Sequence, residues 1–407
     1  MNDYRGSAFE HIHKLLQPNE TTIVLLVLDG LGGLPREPGG PTELEAAHTP
    51  NMDALAVEGI TGLHVPVAAG IVPGSGPGHL GVFGYDPLSY GIGRGVLAAA
   101  GIDFDLQAGD VAARGNFCTV DDAGNVIDRR AGRIETRVNE RLCGLLRRIH
   151  MDRVEVFVEP IKEHRLLLVL RGEGLSDAVA DTDPQETGVP PRDPAALEPE
   201  AGRIAGHVRQ FVEEARTILR KEFPANMVLL RGFASKPDWP PFTEVFGLRA
   251  AAAAGYPMYC GLARLLGMDI LPHRETLEDR VELIGARFSD YDFFFLHMKE
   301  TDSRGEDGDF EAKVRAIEKA DEAVLSLKNI GPDVLIITGD HSTPATLRAH
   351  SWHPVPALLW SRHCRPDGVR QFGERACLAG GMGPRFPAVD LLPLALAHAR
   401  RLKKYGA

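Results

Sequence analysis

The stretch IVLLVLDGLGG (residues 23–33) carries the reading of the fold. Its first six residues are apolar without alternation, as in a strand covered on both faces of a parallel sheet. An acid, Asp29, follows at once, and then a glycine-rich turn. Residues 293–296, 334–338 and 357–360 are runs of the same kind, with 227–230 as a fifth. Between them lie amphipathic stretches. Phe310, Val314, Ile317 and Val324 recur at helical spacing, while Glu311, Lys313, Arg315 and Lys319 are expected to face away from them. Such alternation predicts a doubly wound α/β fold.

The middle of the chain reads differently. Residues 154–158 and 166–170 are apolar runs joined through 159–165, which predicts a hairpin. A polar, proline-rich stretch follows (DTDPQETGVPPRDPAALEP, 181–199), and then an amphipathic helix from about 201 to 221. The expected organisation is an α/β core of residues 1–95 and 224–407, with a smaller α+β domain of residues 96–223 inserted as a substrate-binding lid.

Bulk properties narrow the function classes without choosing one. The 407 residues are 44% hydrophobic and 25% charged, an ordinary globular balance, and long enough for two domains. The net charge of −11 argues against nucleic acid and anionic membrane as partners. No long uncharged apolar stretch predicts a transmembrane helix, and the first 18 residues lack an apolar signal core. Cys118, Cys143, Cys260, Cys364 and Cys377 are scattered, without zinc-knuckle or redox spacing. They read as reduced thiols, and the expected location is cytoplasmic.

The chemistry gathers at strand ends. DVLIITGDHSTP (333–344) places Asp340 and His341 after a run, as Asp29 follows the first, and FFFLHMKETDSRGEDGD (293–309) puts Asp302 just past a third. Open α/β sheets bind ligands at the carboxyl edge of their strands. A single Asp-Gly is a common turn former. Three acids at successive strand ends, one beside a histidine, point to a metal site for manganese, zinc or magnesium-type ions. RAHSWHPVPALLW (348–360) adds His350 and His353, one of which is expected to ligate. In GIVPGSGPGHLGVFGYDP (70–87), Ser75 precedes an expected helix. A hydroxyl there can meet a phosphate beside free amides and, in contact with metal, become a nucleophile. Taken alone, a helix N-cap is the commoner role for such a serine.

Other motifs fail. Pro73 and Pro77 hold the glycine positions of GxSxG, and there is no Walker lysine. Gly76, Gly78 and Gly81 spell GxGxxG, but Pro73 and Gly74 separate them from any strand. Residues 302–313 do not make a calcium loop, because Asp307 replaces the glycine and Lys313 the closing glutamate. Basic residues cluster in the inserted region: Arg129, Arg130 and Arg133 in DRRAGR, His164 and Arg165 in EHR, with Arg94 in GRG. Arginine forks match phosphate and carboxylate oxygens, although any one of these is as readily a surface ion pair.

These pieces together resemble one family. The strand-Asp-Gly start, TPNMDALA (49–56), PGSGPGHLGVFGYDP (73–87), GRG (93–95), RGNF (114–117), DRRAGR (128–133), EHR (163–165), DTDP (181–184), YPMYCGLARLLGM (256–268) and TGDHSTP (338–344) look like 2,3-bisphosphoglycerate-independent phosphoglycerate mutase of the archaeal type, in the alkaline phosphatase superfamily. The resemblance runs over nearly the whole chain. It implies an alkaline-phosphatase-like core, two divalent metal ions (manganese expected, magnesium or zinc as alternatives) and a serine that is transiently phosphorylated. Carried over by position, Ser75 is the nucleophile. Asp29, Ser75, Asp340 and His341 hold one ion; Asp302 and His350 hold the other. Phosphoglycerate is the implied small-molecule substrate, gripped by Arg129, Arg130, Arg133, His164 and Arg165, with Arg94, Arg231 and Lys299 nearer the core edge.

Two departures bear on this. The family usually has histidine in a GHDG context where this chain has GEDG, so Glu306 stands at a ligand position. A carboxylate there favours manganese or magnesium over zinc, and His353 is the alternative donor. Gly76-Pro77-Gly78 stands where many members have Asp-Thr-Ala. The competing functions are a phosphomonoesterase or other phosphomutase on the same core, and a catalytically silent anion-binding relative with a decayed second metal site.

Overall fold

The computed structural model describes residues 11–406. Its strands, in chain order, are β1 (Ile23–Leu28), β2 (Ile60–Val65), β3 (Asp110–Val120), β4 (Val126–Asp128), β5 (Glu155–Lys162), β6 (Arg165–Arg171), β7 (Met227–Ser235), β8 (Ala250–Ala254), β9 (Asp269–Ile270), β10 (Phe293–Met298), β11 (Val334–Thr338), β12 (Val355–Ser361) and β13 (Gly383–Pro387). The chain forms two compact units. One runs to Gly91 and resumes at Trp239; the other is Ile92–Asp238.

The first unit is built on an eight-stranded sheet of order β13-β2-β12-β11-β1-β10-β8-β9. The decisive run, β1, lies inside it, parallel to β10 on one side and β11 on the other. All six of its residues are buried, which is why no polar residue alternates into it. Helices such as Phe310–Ile330 cover the sheet, with Val314, Ile317, Ala320 and Val324 packed into its core. The predicted α/β class holds.

Two details differ from expectation. The sheet is mixed, because β12 runs antiparallel to β11. The 16 residues between Thr338 and Val355 contain no helix, and a parallel return needs a crossover. Lys313 does not face away from the core; it is 0% exposed.

The second unit carries a five-stranded antiparallel sheet, in which β4-β3-β6-β5 is extended by β7 pairing with β3. The predicted hairpin is β5–β6. The 227–230 run is therefore not a core strand: β7 belongs to this sheet, and the unit extends to Asp238 rather than stopping at 223. Its other end also shifts, from 96 to Ile92. The helix Arg94–Ala100 belongs here because Gly95 lies against β3, so close that a Cβ would sit 2.0 Å from Ala112 O.

Candidate metal and phosphoryl-transfer site

In the first unit the strand ends converge as predicted. Asp29 leaves β1, and Asp340 and His341 leave β11; all three are buried. Asp302 sits on the helix Glu300–Asp307, which follows β10. Two groups of donor atoms result: Asp29, Asp340 and His341, and Asp302, His341 and His350.

His341 is the hinge of the arrangement. Its Nε2 lies 3.3 Å from Asp29 Oδ1, 3.2 Å from Asp340 Oδ2 and 3.3 Å from Ser75 Oγ. Its Nδ1 is 2.9 Å from Thr343 Oγ1, whose hydroxyl donates to Asp302 Oδ1 at 2.7 Å. With the hydroxyl hydrogen spent on Asp302, Nδ1–H must donate to Thr343. In the neutral ring this leaves the Nε2 lone pair facing the two carboxylates. His350 follows the same logic. Its Nδ1 donates to the Pro73 carbonyl at 2.8 Å, and its Nε2 points to Asp302 Oδ1 at 3.5 Å.

A lone pair beside two anionic oxygens calls for a cation. Asp29 Oδ1 and Asp340 Oδ2 are buried without a hydrogen bond. Metal-ligating histidines characteristically donate their other nitrogen to a carbonyl or an oxygen acceptor. The residues present therefore fit divalent ions.

The surroundings hold Asp29 and Asp340 ionised. Burial pushes the Asp29 carboxyl pKa up, but the hydrogen bond from His297, the adjoining His341 ring and the charge of Lys299 outweigh it and hold the pKa well below the usual range. His297 Nε2 is 3.1 Å from Asp29 Oδ2, which also accepts from the Tyr259 hydroxyl. Burial pushes His297 down to about 4, so its ring is neutral at pH 7. Lys299 Nζ lies 2.5 Å from Asp302 and 3.2 Å from Asp29. Burial lowers its pKa, yet Asp29 and Asp302 more than reverse that.

Ser75 is not an N-cap. Gly74 occupies that position, and Ser75 opens the helix Ser75–Val82. The helix approaches Asp340 closely enough that a Cβ on Gly78 would sit 2.3 Å from the Asp340 carbonyl, which explains the small residue there. Glu306 reaches His350 Nε2 at 3.8 Å from a largely exposed position and, like His353, lies in neither donor group. His353 Nδ1 pairs with Ser351 Oγ and its ring stacks on Trp352, because Ser351 is tied to Ser342 and turns the following residues away.

Of the predicted cations, Arg165 and Arg231 lie on the sheet of the second unit. Arg231 on β7 stands opposite Arg114 on β3, and Asn116, two residues on, stands opposite Arg165. These residues share one face. Like charges directly opposed across strands are destabilising unless an anion lies near them, and Asp183 Oδ2 lies 3.9 Å from Arg231 Nη1. Burial and Arg94 both push the Arg231 pKa down. Buried His164 is pushed to about 4 by burial and by Arg165. Arg129 is already engaged, as a fork on Asp183 at 2.9 and 2.7 Å. Arg94, Arg130 and Arg133 are exposed. Ala131, Gly132 and Arg133 have φ of 47°, 63° and 54°, a left-handed run anchored by Asp128 accepting from the Arg130 and Gly132 amides.

Sequence reasoning missed Tyr259, His297, His79, Thr343 and Arg114. His79 Nδ1 donates to Ser75 O at 2.8 Å and lies 3.0 Å from Asp340 Oδ2 without a hydrogen left for it. Tyr259 and His297 stack at 3.8 Å. All five lie inside or beside motifs already singled out, but nothing in the spacing distinguishes a supporting ring from a core ring.

An α/β sheet that gathers carboxylates, imidazoles and a serine hydroxyl at its strand ends fits the class of phosphoryl-transfer enzymes. Residues 56–226 match the family model of 2,3-bisphosphoglycerate-independent phosphoglycerate mutase. A probable mutase of that name from Thermus thermophilus is 50% identical over 404 residues, covering 98% of this chain and 99% of the relative. One from Aquifex aeolicus is 49% identical over 406 residues, covering 97% and 99%. Among solved structures, a protein from Pyrococcus horikoshii aligns with TM-score 0.80 and 30% identity over 96% of this chain and 100% of its own. The cofactor-independent phosphoglycerate mutase of Thermoplasma acidophilum aligns with TM-score 0.73 and 32% identity, over 93% and 100%. The chain belongs to the 2,3-bisphosphoglycerate-independent phosphoglycerate mutase family, whose members are isomerases acting by intramolecular phosphoryl transfer.

Proposed function

We propose that this chain interconverts 3-phosphoglycerate and 2-phosphoglycerate without 2,3-bisphosphoglycerate, carrying the phosphoryl group on Ser75. The observation that carries the reading is the Ser75 hydroxyl, 3.3 Å from His341 Nε2 and so beside both carboxylates that this nitrogen faces. Asp29, Ser75, Asp340 and His341 would hold one divalent ion; Asp302, His350 and Glu306 would hold the other. Bound there, such ions neutralise phosphoryl charge and lower the pKa of the serine hydroxyl. Manganese suits this oxygen-rich donor set better than zinc, with magnesium as the alternative.

Ser75 Oγ attacks phosphorus in line with the ester oxygen. The bond from phosphorus to serine forms as the bond to glycerate breaks, and the released oxygen takes a proton equivalent to the one serine gave up. The glycerate turns, and its other hydroxyl takes the phosphoryl group back. Lys299 meets the phosphoryl oxygens as a cation. The arginine face of the second unit, with Arg94, Arg130, Arg133 and His164, offers the charged forks that suit a small carboxylate such as that of glycerate. Arg129 contributes by holding Asp183. On this reading the reaction is a step of glycolysis and gluconeogenesis, and that role supports a cytoplasmic location.

The test supplies 3-phosphoglycerate and manganese, with no bisphosphoglycerate, and follows 2-phosphoglycerate. Activity lost on Ser75→Ala and on chelation is the expected result; activity kept in Ser75→Ala removes the phosphoserine step. A phosphomonoesterase would instead release inorganic phosphate, and a silent relative would bind one ion or none.

A further inference from the structure

Lys313 lies on the helix Phe310–Ile330 and is fully buried, yet it has no part in the chemistry above. Its Nζ is 2.9 Å from Gly30 O, 3.0 Å from Gly32 O and 2.8 Å from Thr343 O. Three carbonyl acceptors require three N–H donors, so the group is the charged ammonium. Its direct partners are backbone carbonyls rather than a carboxylate; burial pushes its pKa down, and the more distant charges of Glu43, Glu374 and Asp302 only partly offset this.

The carbonyls belong to the loops that carry the donors. Gly30 and Gly32 follow Asp29, and Thr343 follows Asp340 and His341. The Thr343 amide bonds to Gly32 O at 3.0 Å and Gly30 O at 3.3 Å, so the loops are zipped together where Nζ enters. The same Thr343 presents its hydroxyl to Asp302 and His341. A Cβ on Gly305 would lie 2.1 Å from the Thr343 carbonyl, so the helix bearing Asp302 also closes on this point. One ammonium thus touches the backbone that sets both donor groups.

We propose that Lys313 is a positioning residue of the metal centre, its ammonium acting as a built-in monovalent cation in a cage of carbonyl oxygens. Carbonyl oxygens are the ligands with which proteins replace the hydration shell of potassium, and ammonium is the lysine head group itself. Removal of the side chain leaves a cage that either free ion can enter. The inference rests on the metal-binding reading of the site.

The test is a manganese titration of the full chain, followed by calorimetry, on wild type, Lys313→Ala and Lys313→Met. Each is titrated in choline, ammonium or potassium chloride at one ionic strength. In choline chloride both variants bind manganese about 10–100-fold more weakly than wild type, the usual cost of losing an outer-shell partner. Ammonium or potassium returns Lys313→Ala to within about threefold of wild type, but not Lys313→Met, whose side chain fills the cage. Wild type responds to neither salt. Wild-type affinity in both variants overturns the inference, as does a weakened Lys313→Ala that ignores both ions. If Lys313→Ala does not fold, Lys313→Met, which keeps the apolar stem, is read against wild type in choline chloride. Failure of both to fold in every salt also overturns the inference, since the lysine is then a folding requirement. No substrate is needed. A wild type that binds no manganese sinks the metal reading itself, whereas manganese binding indifferent to Lys313 sinks only this proposal.

Discussion

His350 Nδ1 donates to the carbonyl oxygen of Pro73 at 2.8 Å, so the loop that presents Ser75 also sets the tautomer of a donor 277 residues away. The bond leaves His350 Nε2 free toward Asp302 and Glu306. His350→Gln removes that nitrogen, and the remaining carboxylates hold an ion less well. Manganese retained after gel filtration should fall from about two ions per chain to about one, with the Asp29 group still loaded. Metal analysis of the eluted protein checks this, and two ions retained in the variant would contradict it.

Thr343 relays between the two donor groups through one hydroxyl. Thr343→Val keeps the shape and removes the relay, so His341 loses the acceptor that orients its ring. Manganese affinity and kcat/KM should both drop about 10–100-fold, while Thr343→Ser stays near wild type. Equal behaviour of the two variants would assign the role to packing.

Glu306 stands 3.8 Å from His350 Nε2, where the resemblance puts an imidazole. Glu306→His exchanges a hard, anionic donor for a neutral nitrogen. Competition between zinc and manganese should shift severalfold toward zinc, because imidazole suits zinc better than it suits manganese. An unchanged preference would place Glu306 outside the metal's reach.

Buried His64 donates from Nε2 to the Gly339 carbonyl, and burial pushes its pKa down to about 4. The folded state therefore keeps this ring neutral where the unfolded chain protonates it. The stability this contributes is complete above pH 6.5 and is lost as pH falls toward 4. The loss at pH 4 is about 3 kcal/mol for a shift of this size. Urea unfolding of the metal-free protein should show a steeper decline over that window than His64→Gln does.

Arg231 faces Arg114 across β7 and β3. Its Nη1 also lies 3.9 Å from Asp183 Oδ2, so Arg231→Met removes an attraction together with the opposition and should change the stability of the substrate-free protein by no more than about 1 kcal/mol. The same change should raise KM for phosphoglycerate about 10–100-fold, through loss of a charge-assisted hydrogen bond. Denaturation and steady-state kinetics read the two effects separately, and a variant that is destabilised with unchanged KM would make Arg231 structural.

Much of the core was legible because burial on both faces leaves a plain mark on composition. The runs that became β1, β10 and β11 could hardly be anything else, and an acid after each placed Asp29, Asp302 and Asp340 on one edge. The 227–230 run carries the same apolar mark, yet β7 pairs with β3 in the second unit. Apolarity reports burial, not which sheet does the burying. Lys313 misled for the complementary reason: a charge normally marks a solvated face, and nothing nearby in sequence reveals three carbonyls waiting for it. His350 and His353 are chemically alike and three residues apart, and only the pairing of Ser351 with Ser342 sends one toward Asp302 and the other onto Trp352.

Residue order alone settled which groups are available and the α/β class that brings strand ends to a common edge, because periodicity and strand-end chemistry are local properties. The three-dimensional packing settled which nitrogen of His341 faces the carboxylates, which histidine joins Asp302, and which lysine is buried under the donor loops. Those outcomes depend on hydrogen bonds between segments hundreds of residues apart, whose directions exist only once the backbone has closed around them.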